Sequence, residues 1–436
     1  MKLSAAEALR GLPEAAKGPV GRVLEAADAD DVAVYLVGGP VRDLLLGRPL
    51  RDVDLLFEAP PDRTNQVLAG AKLSDARLTR HERFGTFSLE TPDVAIDIST
   101  ARRESYAHAG ALPQIEAGTL DEDLARRDFT CNALALPLSG AARARHRGVV
   151  AAQGAEEDLA KGRLRVLHRD SFQDDPTRAL RAARLCARLG FSLSRDSRTA
   201  LRDALRAGAF GRVSGDRLRA EWLKLFEDVA GGLDPVRPLR MLADWHVLAA
   251  LEPGLRLPRE AVVPLRRLGR FLTAPPFAPG RWLPWRVGLT LWLAPLSPGL
   301  RRRTLGRLGV RGSAAERIAA FRKLRDRALR ALAGSHGRGA VDAALQGLHE
   351  EELVALHVVA PAGLRRRISR YADVDRHRKL PLQSADWTSL GLEGPALGRV
   401  QEALRVAFLD GRIRTREESL VLAGELGRRR HGKPRS

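Results

Sequence analysis

Cysteine, aromatic residues and acid are all in short supply, and each shortage excludes something. The two cysteines among 436 residues, Cys131 and Cys186, both sit in apolar text. They leave room for neither a disulfide framework nor a cysteine-based zinc site, and the expected setting is a reducing cytoplasm. No stretch supplies the roughly 20 nearly uncharged residues that a membrane span needs. The most apolar one, residues 282–300, carries Arg286 and three prolines and reads as a buried pair of helices. Residues 1–18 lack the apolar core of a secretory signal. The 40 glycines and 25 prolines follow no period, so neither a low-complexity linker nor a repeat array is indicated. The shortage of acid is the most informative: 53 Asp and Glu face 73 Lys and Arg, a formal net charge of +20 that calls for a polyanionic partner.

The chain is long enough for two to four domains at ~100–200 residues each. Residues 32–37, 53–57, 84–89 and 94–98 are short β-type runs separated by a helical segment and turn signals, which predicts an α/β head. From about residue 163 nearly every segment has helical periodicity, including 179–189, 217–226, 314–332, 340–356 and 395–408. Glycine and proline clusters at 137–148, 252–258 and 274–280 mark expected joints. We divide the chain into a head at 1–145, a helical neck at 146–265 and a helical body and tail at 266–436.

The segment YLVGGPVRDLLLGRPLRDVDLLF at residues 35–57 runs strand, double glycine, proline at a helix start, short helix, glycine stop, strand. Gly38 and Gly39 permit a sharp turn and close approach of a ligand, and free N–H groups at the helix start suit an anion such as a triphosphate. Arg42 adds charge there. Asp52 and Asp54, two apart on a strand, share one face, and a pair of carboxylates invites a hard cation such as Mg²⁺. Asp97, opposite Val94, Ile96 and Ile98 on its strand, is the candidate third acid.

In Asp123-Leu-Ala-Arg-Arg-Asp-Phe-Thr-Cys-Asn132, Arg127 can grip phosphate, Asp128 can accept from a ribose hydroxyl and Asn132 can do both near the sugar. Further on, Asp175 reads as a helix N-cap with Pro176 at the first helical position. That accounts for neither the presence nor the position of Arg178, a cation in the first turn where the helix dipole disfavours it by about 0.3–1 kcal/mol. Base recognition does account for it. Cytosine and adenine both present an amine donor beside a ring-nitrogen acceptor, so Asp175 accepting and Arg178 donating would select C and A together. Ser214 is expected to cap a helix in which Arg217 and Glu221 are spaced to pair.

These residues resemble the class II nucleotidyltransferases, the family of bacterial-type tRNA CCA-adding enzymes and bacterial poly(A) polymerases. The similar text is Gly38-Gly39-x-Val41-Arg42-Asp43, Asp52-x-Asp54, the RRDFTxNA run from Arg126 and the Asp174-Asp175-x-x-Arg178 run, where Glu is usual at position 174. The resemblance implies a polymerase-β-like head followed by an all-α neck, body and tail. It also implies Mg²⁺ at Asp52 and Asp54, triphosphate contacts from Gly38, Gly39 and Arg42, and nucleotide contacts from Arg127, Asp128, Asn132, Asp175, Arg178, Arg181 and Arg184. In an ideal helix Arg184 lies nearly opposite Asp175. The implied substrates are tRNA, CTP and ATP. The scarcity of aromatics points to RNA read through duplex shape and phosphates. CC-only members tend to be shortened between the catalytic strand and RRDFT, whereas residues 101–120 here are full length. Residues 149–152, Val-Val-Ala-Ala, depart from the aspartate and proline common there. No histidine–aspartate phosphohydrolase signature follows, so no phosphatase activity is expected. The alternatives are a poly(A) polymerase, a CC-adding enzyme, and a catalytically silent RNA-binding protein.

Overall fold

The computed structural model describes residues 2–50, 52–73, 76–81, 86–105, 114–334, 337–390 and 392–428. The chain divides into two compact units, one of Met1–Arg217 with Asp244–Leu251, the other of Leu218–Ala243 with Glu252–Ser436. One boundary thus falls beside the glycine and proline cluster expected as a joint at 252–258. The cluster at 137–148 lies inside the first unit and forms the end of a strand followed by the helix Gly140–Arg145.

The first unit is built on a seven-stranded mixed sheet. Its strands are β1 (Val34–Val37), β2 (Val53–Phe57), β3 (Arg77–His81), β4 (Thr86–Glu90), β5 (Ala95–Thr100), β8 (Leu134–Pro137) and β9 (Val150–Ala151). A hairpin of β6 (Arg102–Ser105) and β7 (Gln114–Ala117) stands apart from that sheet. The strand order is β3-β4-β5-β2-β1-β8-β9, with β2 and β5 parallel and the other pairs antiparallel. The central strands are apolar because both faces are covered: all four residues of β1 and of β8 are buried. Tyr35, Val37, Leu56, Leu124 and Ala135 belong to one core cluster. β3, β8 and β9 are strands that periodicity along the chain does not separate out. Residues 82–85 and 106–113, which include the start of the expected 84–89 run and the middle of 101–120, lie outside the described residues.

The second unit is helical. The apolar stretch at 282–300 does form two helices, Pro284–Leu293 and Pro298–Arg307, and among the described residues no helix is long and apolar enough to cross a membrane. Gly288 is obligatory in the first of them, since a Cβ there would stand 1.8 Å from Phe226 Cζ. Trp222 stacks on Trp292 at 4.8 Å in the same core. The expected single helix at 340–356 is two, Arg338–Leu345 and Glu350–Val359, because Gly347 between them takes φ +80°, a conformation that a continuing helix does not permit.

Candidate active site

The site begins where β1 ends. Gly38 takes φ +73° and caps the short helix Gly39–Leu45, with Pro40 in its first turn. Its place could not be taken by a larger residue: a Cβ would lie 2.8 Å from Arg127 Nη1 and 3.9 Å from Asp54 Oδ2. Position 38 is therefore a meeting point of backbone, guanidinium and carboxylate, and the glycine needed for the turn is also the one needed for this close approach.

Asp54 lies in β2 directly beside Asp97 in β5, residue against residue in a parallel pair, so both side chains leave the same face of the sheet. Asp52 is exposed and precedes β2, which starts at Val53; the pair expected on one strand is thus one strand residue and one residue of the approach to it. The three acids feel one another. Burial, then Asp97, then Asp52 push the Asp54 carboxyl up to about 7, against the opposing pull of Arg127 and Arg42. Like charges held this close to a buried carboxyl are destabilising unless a cation stands among them.

The RRDFT segment supplies a clamp. Asp123, fully buried, accepts from Arg127 Nε and Nη2 at 3.1 and 2.9 Å and is also bonded to Arg126 through its other oxygen. This aspartate fixes both arginines, and helical spacing of i, i+3 and i, i+4 is the signal that marks it in the sequence. Asp128 is buried, accepts from the Asn132 amide at 3.0 Å and from Arg181 Nη1 at 3.1 Å, and is held below the usual carboxylate range. Burial opposes that shift; Arg181, the Asn132 hydrogen bond and Arg178 overcome it. Asn132 Oδ1 in turn accepts from Arg42 Nη1 at 2.5 Å. Arg42 itself is only 1% exposed and also donates to Asp43 at 2.8 Å, so it serves as a buried strut more than as an open phosphate contact. One chain of polar contacts thus joins Arg42, Asn132, Asp128 and Arg181, bringing together four of the residues singled out from sequence.

The expected base-reading pair is arranged differently from the sequence reading. The helix runs Thr177–Leu189, with Pro176 at the cap position, and Asp175 still accepts from the Thr177 N–H at 3.0 Å and hydroxyl at 2.6 Å. Arg217, spaced in the sequence to pair with Glu221, reaches Asp175 at 2.7 Å, and Ser214 Oγ accepts from the Arg217 N–H at 3.4 Å. Arg178 is 5% exposed and donates to Ser171 Oγ at 2.5 Å and to the Arg126 carbonyl at 3.0 Å. Its presence near a helix start therefore has a structural reason: it ties this helix to the RRDFT segment. Ser171, buried and seven residues away across a break in helicity, carries no sequence signal. Arg184 is partly buried on the same helix as Arg178 and Arg181.

Residues 34–165, the stretch that carries this glycine turn, the acids and the arginine clamp, match the model of the poly A polymerase head domain. That match covers under a third of the chain, and the chain is also similar to curated tRNA nucleotidyltransferases. It is 32% identical over 265 residues to the A-adding tRNA nucleotidyltransferase of Geobacter sulfurreducens, covering 61% of this chain and 29% of that one. It is 36% identical over 230 residues to the CC-adding tRNA nucleotidyltransferase of Deinococcus radiodurans, covering 52% and 57%. The aligned stretch thus spans roughly a third to a little over half of the length of these relatives. In structure, the Thermotoga maritima CCA-adding enzyme complexed with tRNA is similar over 97% of this chain and 99% of its own, with 25% identity and a TM-score of 0.70. The head domain is therefore followed by helices laid out as in a CCA-adding enzyme, in agreement with the expected fold class.

Proposed function

We propose that this protein is a template-independent tRNA 3′-end nucleotidyltransferase that adds C, A or both from CTP and ATP. The observation that carries the reading is the placement of Asp54 beside Asp97 on one sheet face, next to the Gly38 turn and the clamped Arg127. In the reaction the 3′-oxygen of the RNA forms a bond to the α-phosphorus while the bond from that phosphorus to the bridging oxygen breaks, and pyrophosphate leaves. Asp97, exposed on β5, is placed to take the proton of the attacking hydroxyl. Gly38, Gly39 and Arg127 orient the triphosphate, with Arg42 bracing Asn132 from behind. Asp128 receives the ribose hydroxyl, and Asp175 with Arg178 judges the base; Arg181 holds Asp128 and Arg184 completes the basic side of the helix.

The donor set suits Mg²⁺. Its carboxylate oxygens are hard and crowd one another. Asp52 and Asp54 would hold the cation, and when bound it would supply charge neutralisation at the attacking and leaving oxygens. We assign catalysis to residues 1–145, base reading and RNA binding to 146–265 and tRNA binding to 266–436, and place the protein with its tRNA and nucleotides in the cytoplasm.

The test uses tRNAs that lack the whole CCA end, lack only the terminal A, or are complete, each with CTP or ATP alone and with pyrophosphate release as the readout. Release with at least one shortened tRNA, and little with the complete one, is expected. Repeated AMP addition to unstructured RNA would point to a poly(A) polymerase instead, and no release with any acceptor would leave a silent RNA-binding protein.

A further inference from the structure

The head sheet carries its acids on one face, and its strand order divides that face into two flanks. Across β3-β4-β5-β2 the residues stand directly against one another in the order Thr79, Ser88, Asp97, Asp54. Strand alternation puts all four on the same side, while Phe87, Leu89, Ile96, Ile98 and Leu55 are buried on the other. Asp97 therefore has two cross-strand neighbours, Asp54 on one flank and Ser88 on the other. Thr79 and Ser88 are partly buried, and among the described residues neither hydroxyl has a hydrogen-bond partner.

The two flanks have different tasks in the transfer. Gly38 and Gly39 follow β1, and the segment with Arg127 leads into β8, so the groups that orient the triphosphate belong to the β2-β1-β8 half of the sheet. Phosphoryl transfer runs in line, with the attacking and leaving oxygens on opposite sides of the phosphorus. With pyrophosphate leaving toward Gly38 and Arg127, the RNA 3′-oxygen reaches Asp97 from the β4 flank. A ribose carries its 2′-hydroxyl on the adjacent carbon, so an acceptor that offers its 3′-oxygen to Asp97 offers its 2′-hydroxyl to whatever stands beside that acid. On the β4 flank this is Ser88, whose Cβ in a directly opposed antiparallel pair lies about 4.5–5.5 Å from that of Asp97. A serine hydroxyl both donates and accepts, and it adds no charge beside the crowded carboxylates. We propose that Ser88 bonds the 2′-hydroxyl of the acceptor's terminal ribose and so determines that the strand extended is RNA rather than DNA. This sugar is distinct from that of the incoming nucleotide, which Asp128 receives. The inference rests on the proposed function and deepens it, assigning acceptor selection to a residue outside every motif singled out in the sequence.

The test takes whichever shortened tRNA the parent extends and prepares it with its last sugar as ribose or as 2′-deoxyribose, the 3′-hydroxyl kept in both. The parent is expected to extend the ribose form with a kcat/KM about 3- to 10-fold higher, the size of one hydrogen bond. Ser88→Ala should bring the ribose value down to about the deoxyribose value and leave the latter unchanged. Ser88→Thr, which keeps the hydroxyl and suits a strand, should retain the preference. The control is Thr79→Ala, which deletes a hydroxyl from the same face one strand farther out, roughly 4.8 Å beyond Ser88, and should keep the parent's preference. The ratio of the two acceptors within one variant does not depend on the fraction folded. An equal loss on both acceptors in Ser88→Ala would overturn the inference, making Ser88 a support for Asp97 or for the fold. It would also be overturned by an undiminished preference in Ser88→Ala, by a comparable loss of preference in Thr79→Ala, or by a parent that extends both acceptors alike while still releasing pyrophosphate. If the parent extends no shortened tRNA, the proposed function falls and this inference with it.

Discussion

Arginine is handled in opposite ways in the two units. Around the head site each guanidinium is told where to be: Arg127 by Asp123, Arg42 by Asp43 and Asn132, Arg178 by Ser171 and a carbonyl, Arg181 by Asp128. In the helical unit some arginines staple helices to acids, Arg301 and Arg367 donate to backbone carbonyls, and four, Arg267, Arg270, Arg365 and Arg366, stand together without acids in one groove. A site that must discriminate atoms needs side chains whose rotamers are already chosen, since positional error costs rate. A surface that follows a backbone needs charge and tolerates freedom. The difference suggests that substitution of an arginine in the head will act through geometry and in the helical unit through charge or through helix docking.

The largest effect that tests this contrast belongs to the acids the head arginines face. Asp54→Asn is expected to lower nucleotide transfer by at least about 10³-fold, since several kcal/mol of transition-state charge stabilisation go with the site. Stability should move the other way. With its carboxyl raised to about 7 in the fold, Asp54 favours the folded state most below the unfolded carboxylate range, and that contribution is lost as pH rises toward and through 7. In the absence of divalent metal, the Asn variant should therefore melt at or above the parent temperature at pH 8, with the gap closing at pH 5. A lower melting temperature at pH 8 would show that the acids do not crowd one another.

Next in size is Arg178→Ala. It leaves Ser171 and the Arg126 carbonyl without their buried donor, which costs about 1–3 kcal/mol by denaturant unfolding. It should also relax the choice among CTP, ATP, GTP and UTP in single-nucleotide addition. Arg178→Lys separates the two consequences: retained stability with relaxed choice supports base reading, and retained choice in both variants makes Arg178 a tie between helix and loop alone.

How far the head is legible follows from where its signals lie. The strands with alternating or continuous apolar residues, β1, β2 and β5, are readable from the chain, as are the glycine turn and the acid positions. β3, with the text Arg-Leu-Thr-Arg-His, has too few apolar residues to announce a strand, and β8, buried at every residue, lacks the alternation that marks a half-buried one. The adjacency of Asp54 and Asp97 depends on a register between strands some forty residues apart, which no local spacing encodes. Asp123 is within reach, because its two arginines follow at helical spacing. The engagement of Asp175 by Arg217 and of Arg178 by Ser171 is not, because each bridges separate elements.

In the helical unit, the staple of Arg405 and Asp342 offers the matching experiment. Asp342 is buried, with Arg405 Nη2 at 2.6 Å and Nε at 2.7 Å. Asp342→Ala strands a partly exposed guanidinium, so about 2 kcal/mol of unfolding free energy should be lost. Transfer per folded molecule should be unchanged, in contrast with Arg178→Ala, and a matching loss of transfer would blur the division between geometry and docking.

The smallest effect is a pH slope from His357 at the floor of the arginine groove. Burial and the neighbouring Arg365 hold this imidazole down at about 4, and Phe271 and Phe277 enclose its ring at 5.7 and 5.4 Å. Because the folded value lies below the ordinary 6.5, the unfolded chain binds the proton more readily between those values. Its contribution to stability is complete above pH 6.5 and is lost as pH falls toward 4, where protonation would set a cation among Arg365 and the other groove arginines. His357→Phe keeps the aromatic packing and removes the proton, so melting temperature should fall less steeply from pH 7 to pH 4.5 than in the parent. Parallel curves would mean that the groove admits enough water or anion to host the charge, and the same comparison with tRNA bound would show whether phosphates supply it.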